Sequence, residues 1–187
     1  MSLRTNVIKA QPGAKGLLTR HRRTALALVS ALVLAAPPAM AVDGCLVLLC
    51  LAAPSWSAIP QCVPPVTQVL RDLARGRPFP TCAMAGAGNS GSHQWASAPG
   101  NCPPQYTYAS EVENGIVYSC GYSGVVTIQI DGSPWSRTWW SMGGGTVTDF
   151  SPAAKARMGS WDTRFDDDYA AWSAAQAAPV VQPFDAP

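Results

Sequence analysis

Six cysteines carry the clearest chemistry in this chain of 187 residues, and all of them follow residue 41. An even number of thiols, most of them far apart in the sequence, is typical of a disulfide framework in an exported protein. Zinc is the rival ligand, but only Cys45 and Cys50 lie close enough to form a ligand pair, and the Cys-X-X-Cys spacing of redox motifs is missing. We therefore predict structural disulfides, no bound metal and no cofactor. The predicted disulfide residues are Cys45, Cys50, Cys62, Cys82, Cys102 and Cys120.

Other catalytic groups are sparse after residue 41. His93 is the one histidine there, and its glycine-rich surroundings are a poor support for a general base. The run 166–168 of three aspartates lacks the alternating ligands and turn glycine of a calcium loop, so it predicts a solvated helix start. We predict no catalytic residue and a protein that is not an enzyme. The carboxylates that a glycan hydrolase would have to draw on are Asp72, Glu111, Glu113 and Asp162.

Residues 1–41 have the layout of a secretory signal peptide. They begin with a basic region, continue with uncharged apolar residues at 25–36, and end with small residues before a cleavage point after Ala41. Twelve helical residues rise about 18 Å, too short for a hydrocarbon core of about 30 Å. We expect cleavage, a mature chain without a membrane span, and a periplasmic location. The twin-arginine route and lipidation at Cys45 stay open as export details.

The charge of the mature part separates it from nucleic-acid-binding proteins. Seven basic and eleven acidic residues follow position 41, which gives that part a net charge of −4. An acidic domain lacks the excess of basic residues that makes contacts with phosphates favourable, so we predict no direct binding to nucleic acid. The expected partners are other proteins of the cell envelope.

Two helices are predicted at the start of the mature chain. Residues 45–52 form an apolar run, and residues 64–75 carry an apolar stripe with helical spacing, with prolines in the first turn. Cys45 and Cys50 lie about 140° apart around the first helix and do not face each other. Other pairings stay open, but an antiparallel helical hairpin favours nested bonds. The favoured pairs are Cys45–Cys82, Cys50–Cys62 and Cys102–Cys120.

The middle of the chain is predicted to contain a loop and two β-hairpins. The small, glycine-rich residues 86–100 predict a mobile loop. Strands are predicted at 106–112 and 116–120 around an Asn-Gly turn, and at 125–130 and 135–141 around an Asp-Gly-Ser-Pro turn.

The end of the chain completes an α+β fold class. Helices are predicted at 151–157 and 163–178, and residues 179–187 are predicted to be a disordered tail. Together these elements predict one small disulfide-stapled domain over residues 42–178. It has an N-terminal helical hairpin, central β-hairpins and C-terminal helices.

Core filling is the favoured role of the tryptophans, and Trp139 and Trp140 are also considered as partner-contact residues. Adjacent strand residues point to opposite faces of a sheet, so one of the two indoles can point outward. An outward indole can anchor a protein partner or stack on a sugar.

The segment that holds the first four cysteines resembles a known family. Residues 44–51 (GCLVLLCL), 61–65 (QCVPP) and 79–82 (FPTC) are similar to the TrbM/KikA/MpfK family of conjugal transfer proteins. The shared pattern is a pair of cysteines in an apolar run after a signal peptide, a third before the next helix and a fourth after a Phe- or Leu-containing stretch. The resemblance covers about 40 residues of the mature chain.

The resemblance implies a periplasmic accessory of a conjugative type IV secretion system, encoded on a mobile genetic element. Its partners would be secretion-channel or pilus components, and no catalytic residue carries over. A cell-wall enzyme or glycan-binding module and an inhibitory exported factor stay open as alternatives.

Overall fold

The computed structural model describes residues 42–177. The predicted leader, residues 1–41, and the predicted tail, residues 179–187, lie outside the described residues. The described part contains four α-helices and six β-strands, so the predicted α+β class is confirmed. Among these described residues, no helix has the length and apolar character to cross a membrane.

Two N-terminal helices form one side of the core. Helix α1 spans Gly44–Ala52, and its start is capped by the Asp43 carboxylate, which accepts the N–H groups of Cys45 and Leu46. Helix α2 spans Val63–Ala74, with prolines in its first turn as predicted. The core side chains of the two helices are Val47, Leu48, Leu51, Val66, Val69 and Leu73.

The six cysteines form three disulfides, and none is free in the part of the chain that the structure describes. Gly44 makes room for the Cys45–Cys82 bond. Its Cα lies against the carbonyl of Thr81, the residue before Cys82, and a side chain at position 44 would collide with that carbonyl. The pairing predicted from helix geometry is confirmed. The disulfides are Cys45–Cys82, Cys50–Cys62 and Cys102–Cys120.

The strands form two separate antiparallel sheets. Four strands pair in the order β1–β4–β5–β6, and the other two pair with each other. The turn between β4 and β5 is made by Asp131 and Gly132, both with positive φ, whereas Ser133 and Pro134, predicted to belong to the turn, are the first residues of β5. The strands are β1 (Ser90–Trp95), β2 (Thr107–Val112), β3 (Gly115–Cys120), β4 (Gly124–Ile130), β5 (Ser133–Trp140) and β6 (Thr146–Phe150).

The prediction of a mobile loop over residues 86–100 is wrong for its centre. Residues Ser90–Trp95 form β1, which pairs with β4 along its whole length. Gly91 lies directly under the ring of Phe79, where no side chain would fit. The small residues here therefore serve close packing at the edge of a sheet.

Two C-terminal helices follow the sheet near their predicted positions. Helix α3 spans Pro152–Met158 and helix α4 spans Arg164–Ala177. The Lys155 ammonium links them, because its Nζ lies 2.6 Å from Asp166 and 3.6 Å from Asp149. Burial raises the pKa of Asp149.

The pKa of Asp166 moves in the opposite direction. Burial alone would raise it, but hydrogen bonds from Lys155 and the Trp161 indole outweigh burial and hold the pKa below its usual value. Asp166 is therefore ionised at neutral pH and serves as the anchor between α3 and α4.

Helices cover both faces of the four-stranded sheet. On one face, α1 and α2 pack on Val126, Ile128 and Trp140. On the other face, Phe165 of α4 packs beside a smaller cluster that includes Val125 and Trp139. The sheet is thus the middle layer of the domain.

Candidate interaction surface

The β2–β3 hairpin stands apart from the main sheet. Its strands pair only with each other among the described residues, from Thr107↔Cys120 to Val112↔Gly115. Both strands were predicted from the sequence within one residue of their ends, but the turn is displaced from Asn-Gly: its two residues are Glu113 and Asn114, and Gly115 is the first residue of β3. A sheet of two strands has no partner layer of its own, so its apolar side chains must find cover elsewhere or stay exposed.

Most of the large side chains of this hairpin stay exposed. The hairpin carries five of the twelve large apolar side chains that the described residues expose, each between 50 and 58 % accessible. The cross-strand register places them on both faces of the ribbon. We call this set the hairpin patch; it consists of Tyr108, Val112, Ile116, Val117 and Tyr118.

The base of the hairpin is fixed by a disulfide and an aromatic cluster. Cys120, the last residue of β3, is bonded to Cys102. Tyr106, just before β2, donates its hydroxyl to the Asp168 carboxylate of α4 at 2.6 Å and packs edge-on against Tyr122 at 5.0 Å. Burial, followed by the contact with Asp168, raises the pKa of Tyr106, so the phenol remains a donor at any physiological pH. The base of the hairpin is therefore fixed to Cys102 and to α4, whereas the side chains of the hairpin patch are exposed to solvent.

An open groove of about 670 Å³ lies between the hairpin and α4. Tyr118 of the hairpin patch forms one wall, and Trp172 of α4 forms part of the other. None of the side chains of α4 is fully buried, so this helix also leaves a face unpartnered. The remaining lining residues are Pro99, Cys102, Pro104, Thr107, Ala109 and Gln176.

Acidic side chains predominate at the tip of the hairpin, whereas its base has charges of both signs. No lysine or arginine occurs between residues 94 and 136, and Glu111 and Glu113 stand at the tip. At the base, Arg164 of α4 lies near Tyr106 and Tyr122, and Asp168 accepts the Tyr106 hydroxyl. The hairpin patch is therefore apolar with acidic side chains at its tip.

The two tryptophans predicted as partner contacts are both in the core. Trp139 and Trp140 are each only 1 % exposed, so core filling is confirmed and the alternative that one of them points outward is wrong. Trp139 stacks on Phe165 at 5.4 Å, and its indole N–H donates to the Asn101 carbonyl. Strand alternation holds, but helices cover both faces of the sheet, so neither direction leads to solvent.

Trp95 is a half-exposed tryptophan that the sequence analysis did not single out. It lies at the end of β1, with its ring 5.3 Å from that of His93 and 5.9 Å from that of Trp140. Gly124 lets the rings approach, since a Cβ there would lie 2.7 Å from His93 Nε2. Burial lowers the pKa of His93, so its imidazole is neutral at pH 7.

The carboxylates considered for glycan cleavage do not lie together. Asp72 pairs with Arg75 and Arg77, Asp162 pairs with Arg164, and the two glutamates are on the hairpin. Each aspartate of the 166–168 run has its own partner, respectively Lys155, Thr163 and Tyr106. Within residues 42–177, no group of three potential ligands could hold a metal ion.

Comparison of the chain with protein-family models, with curated proteins and with solved structures finds no match.

Proposed function

We propose that this protein is an exported adaptor that binds other proteins of the cell envelope through the hairpin patch. The observation that carries the proposal is the exposure of five large apolar side chains on a sheet of two strands. Large apolar side chains clustered on an exposed element, here on both faces of the ribbon, mark a contact site for another protein. The three disulfides are typical of an oxidising compartment, which supports export to the periplasm.

The process that we propose is conjugative DNA transfer, as an accessory of mating-pair formation or type IV secretion. The support is the resemblance of residues 44–51, 61–65 and 79–82 to the TrbM/KikA/MpfK family. These residues include the four cysteines that join α1 to the chain on both sides of α2. The resemblance thus covers α1, the start of α2 and the two disulfides that α1 forms. The proposed partners are secretion-channel or pilus components.

Deletion of the gene from the conjugative element is expected to lower the transfer frequency, and the wild-type gene supplied in trans is expected to restore it. A variant with Ile116→Thr, Val117→Thr and Tyr118→Thr should not restore transfer, because it removes apolar surface from the patch. Threonine keeps the β-branched shape that strands favour, so the hairpin should persist. Mating assays with donor cells measure this directly.

The control removes three apolar side chains elsewhere that are more exposed than those of the hairpin. Leu49, Met84 and Met142 are 67, 86 and 70 % exposed and lie outside the hairpin. Changing these three to threonine should leave transfer at the wild-type level. Normal transfer without the gene would contradict the conjugation proposal, and equal loss with both triple variants would contradict the role of the patch.

A further inference from the structure

We propose that the partner adds a β-strand to the free edge of β3, and that this strand is apolar with lysine or arginine at its ends. The inference deepens the proposed function, because it rests on the hairpin being the contact site and names the chemistry of the occupant. Three features support the inference: the backbone of β3, its side chains and the charge around it.

The backbone groups of β3 point alternately toward β2 and toward solvent. The N–H of Gly121 donates to the carbonyl of Tyr106 at 2.9 Å, so these two residues form a hydrogen-bonded pair. Hydrogen-bonded and non-hydrogen-bonded pairs alternate along an antiparallel ladder. With the register given above, Val117 bonds to β2, whereas the N–H and C=O groups of Ile116 and Tyr118 point to the free edge.

The free edge of β3 lacks the usual protection against pairing. Natural edge strands are shielded by lysines, prolines, bulges or a covering element. The sequence of β3 is GIVYSC, without charge or proline, and its pairing with β2 is regular. Three of its consecutive side chains are more than half exposed. Such an edge can accept an extended segment through backbone hydrogen bonds.

The charges near the free edge of β3 indicate the composition of the strand that binds there. Glu111 and Glu113 lie at the tip of the hairpin, and no lysine or arginine occurs between residues 94 and 136, so an added strand meets acidic groups at the tip. A strand with basic ends complements these groups, whereas a second copy of the same acidic surface does not. The six residues of β3 span about 20 Å, which fits a partner strand of similar length.

The probe for this inference is the peptide KKTVTVTVKK, compared with EETVTVTVEE, and the whole mature chain is titrated with each. We expect the lysine-flanked peptide to bind about tenfold more tightly. Amide hydrogen exchange should slow at Ile116 and Tyr118, whose N–H groups face the edge, and stay unchanged at Val117. Slowing at all three residues or at none would overturn the inference.

Proline variants test which edge is used. Ile116→Pro removes an edge N–H, and Ile116→Ala is its control for the lost side chain. Glu111 lies directly opposite on β2, so Glu111→Pro and Glu111→Gln form the matching pair for the other edge. Only Ile116→Pro should weaken binding about tenfold relative to its control.

Three outcomes overturn the inference: equal binding of both Ile116 variants, equal affinity for the two peptides, or self-association of the chain in place of peptide binding. Failure of the mating assay leaves these binding results unaffected, so the two proposals fail separately. Exchange rates on the wild-type chain decide the matter even if a proline variant does not fold.

Discussion

Replacing Trp139 with alanine should lower the free energy of unfolding by about 3 to 5 kcal/mol, the loss typical of a fully buried tryptophan. Trp139 is 1 % exposed and stacks on Phe165, so its removal leaves a cavity between the sheet and α4. It also leaves the Asn101 carbonyl without the indole donor. Denaturant unfolding followed by circular dichroism measures the change.

Trp95→Ala is the matched control for this variant. Trp95 belongs to the same sheet but is 50 % exposed, so its truncation should lower the free energy of unfolding by only about 1 kcal/mol. Equal losses for the two variants would mean that Trp139 is not packed between sheet and helix as described.

The double variant Cys45→Ala, Cys82→Ala is expected to lose about 3 to 4 kcal/mol of unfolding free energy. This disulfide joins residues 37 positions apart, and a cross-link over such a loop reduces the entropy of the unfolded chain. It also holds the segment before β1 against the start of α1, where Gly44 meets Thr81. Denaturant unfolding without reductant measures the loss.

A reductant serves as the control for the disulfide variant. When all three bonds are reduced, wild type and variant no longer differ in cross-linking, so most of the stability difference should disappear. A difference that persists under reduction would assign the loss to side-chain packing at Cys45 and Cys82.

The sequence predicts most of the fold because its local signals agree with its long-range packing. The apolar stripe of α2 and the Asp-Gly step before β5 each favour one local conformation, and the structure has both. The Asn-Gly signal locates the hairpin but not its turn residues, which are Glu113 and Asn114. The separation of Cys45 and Cys50 around α1 excludes only a bond between those two cysteines, and the nested pairs were the arrangement that an antiparallel helical pair favours. Tertiary contacts did not overrule these signals.

Strands β1 and β6 escaped prediction because their signals depend on neighbours. In β1, composed of SGSHQW, the two serines and Gln94 are exposed and the glycine packs under Phe79, so only the paired β4 identifies the strand. Strand β6 follows a glycine run and extends the sheet beyond β5. A local residue pattern cannot reveal an edge strand that lacks alternating apolar residues and is defined only by its pairing with a distant strand.

The irregularity in β5 was also invisible in the sequence. Ile128 pairs with Ser136 and Gln129 pairs with Pro134, which makes Trp135 the extra residue of a bulge. The Trp135 indole N–H then reaches the carbonyl of Ala52 at 2.8 Å. The bulge thus joins the sheet to the end of α1, a contact between residues far apart in the chain.

The candidate site was only half predictable. The two strands of the hairpin and its turn were expected, but their exposure depends on the fact that no other element covers them among residues 42–177. One sequence signal was available: Ile116, Val117 and Tyr118 are consecutive, so an isolated ribbon cannot bury them all on one face. Trp139 and Trp140 failed as contact residues for the converse reason, since both faces of their sheet are covered.

The most direct test of the account is a site-specific photo-crosslinker at position 117 in mating donor cells, compared with the same group at position 94. Val117 belongs to the hairpin patch, whereas Gln94 is an exposed residue on the polar face of β1. We expect covalent adducts with envelope proteins of the transfer apparatus from position 117 and none from position 94. The same adducts from both positions, or none from position 117 in cells that transfer DNA normally, would contradict the assignment of the hairpin as the contact surface.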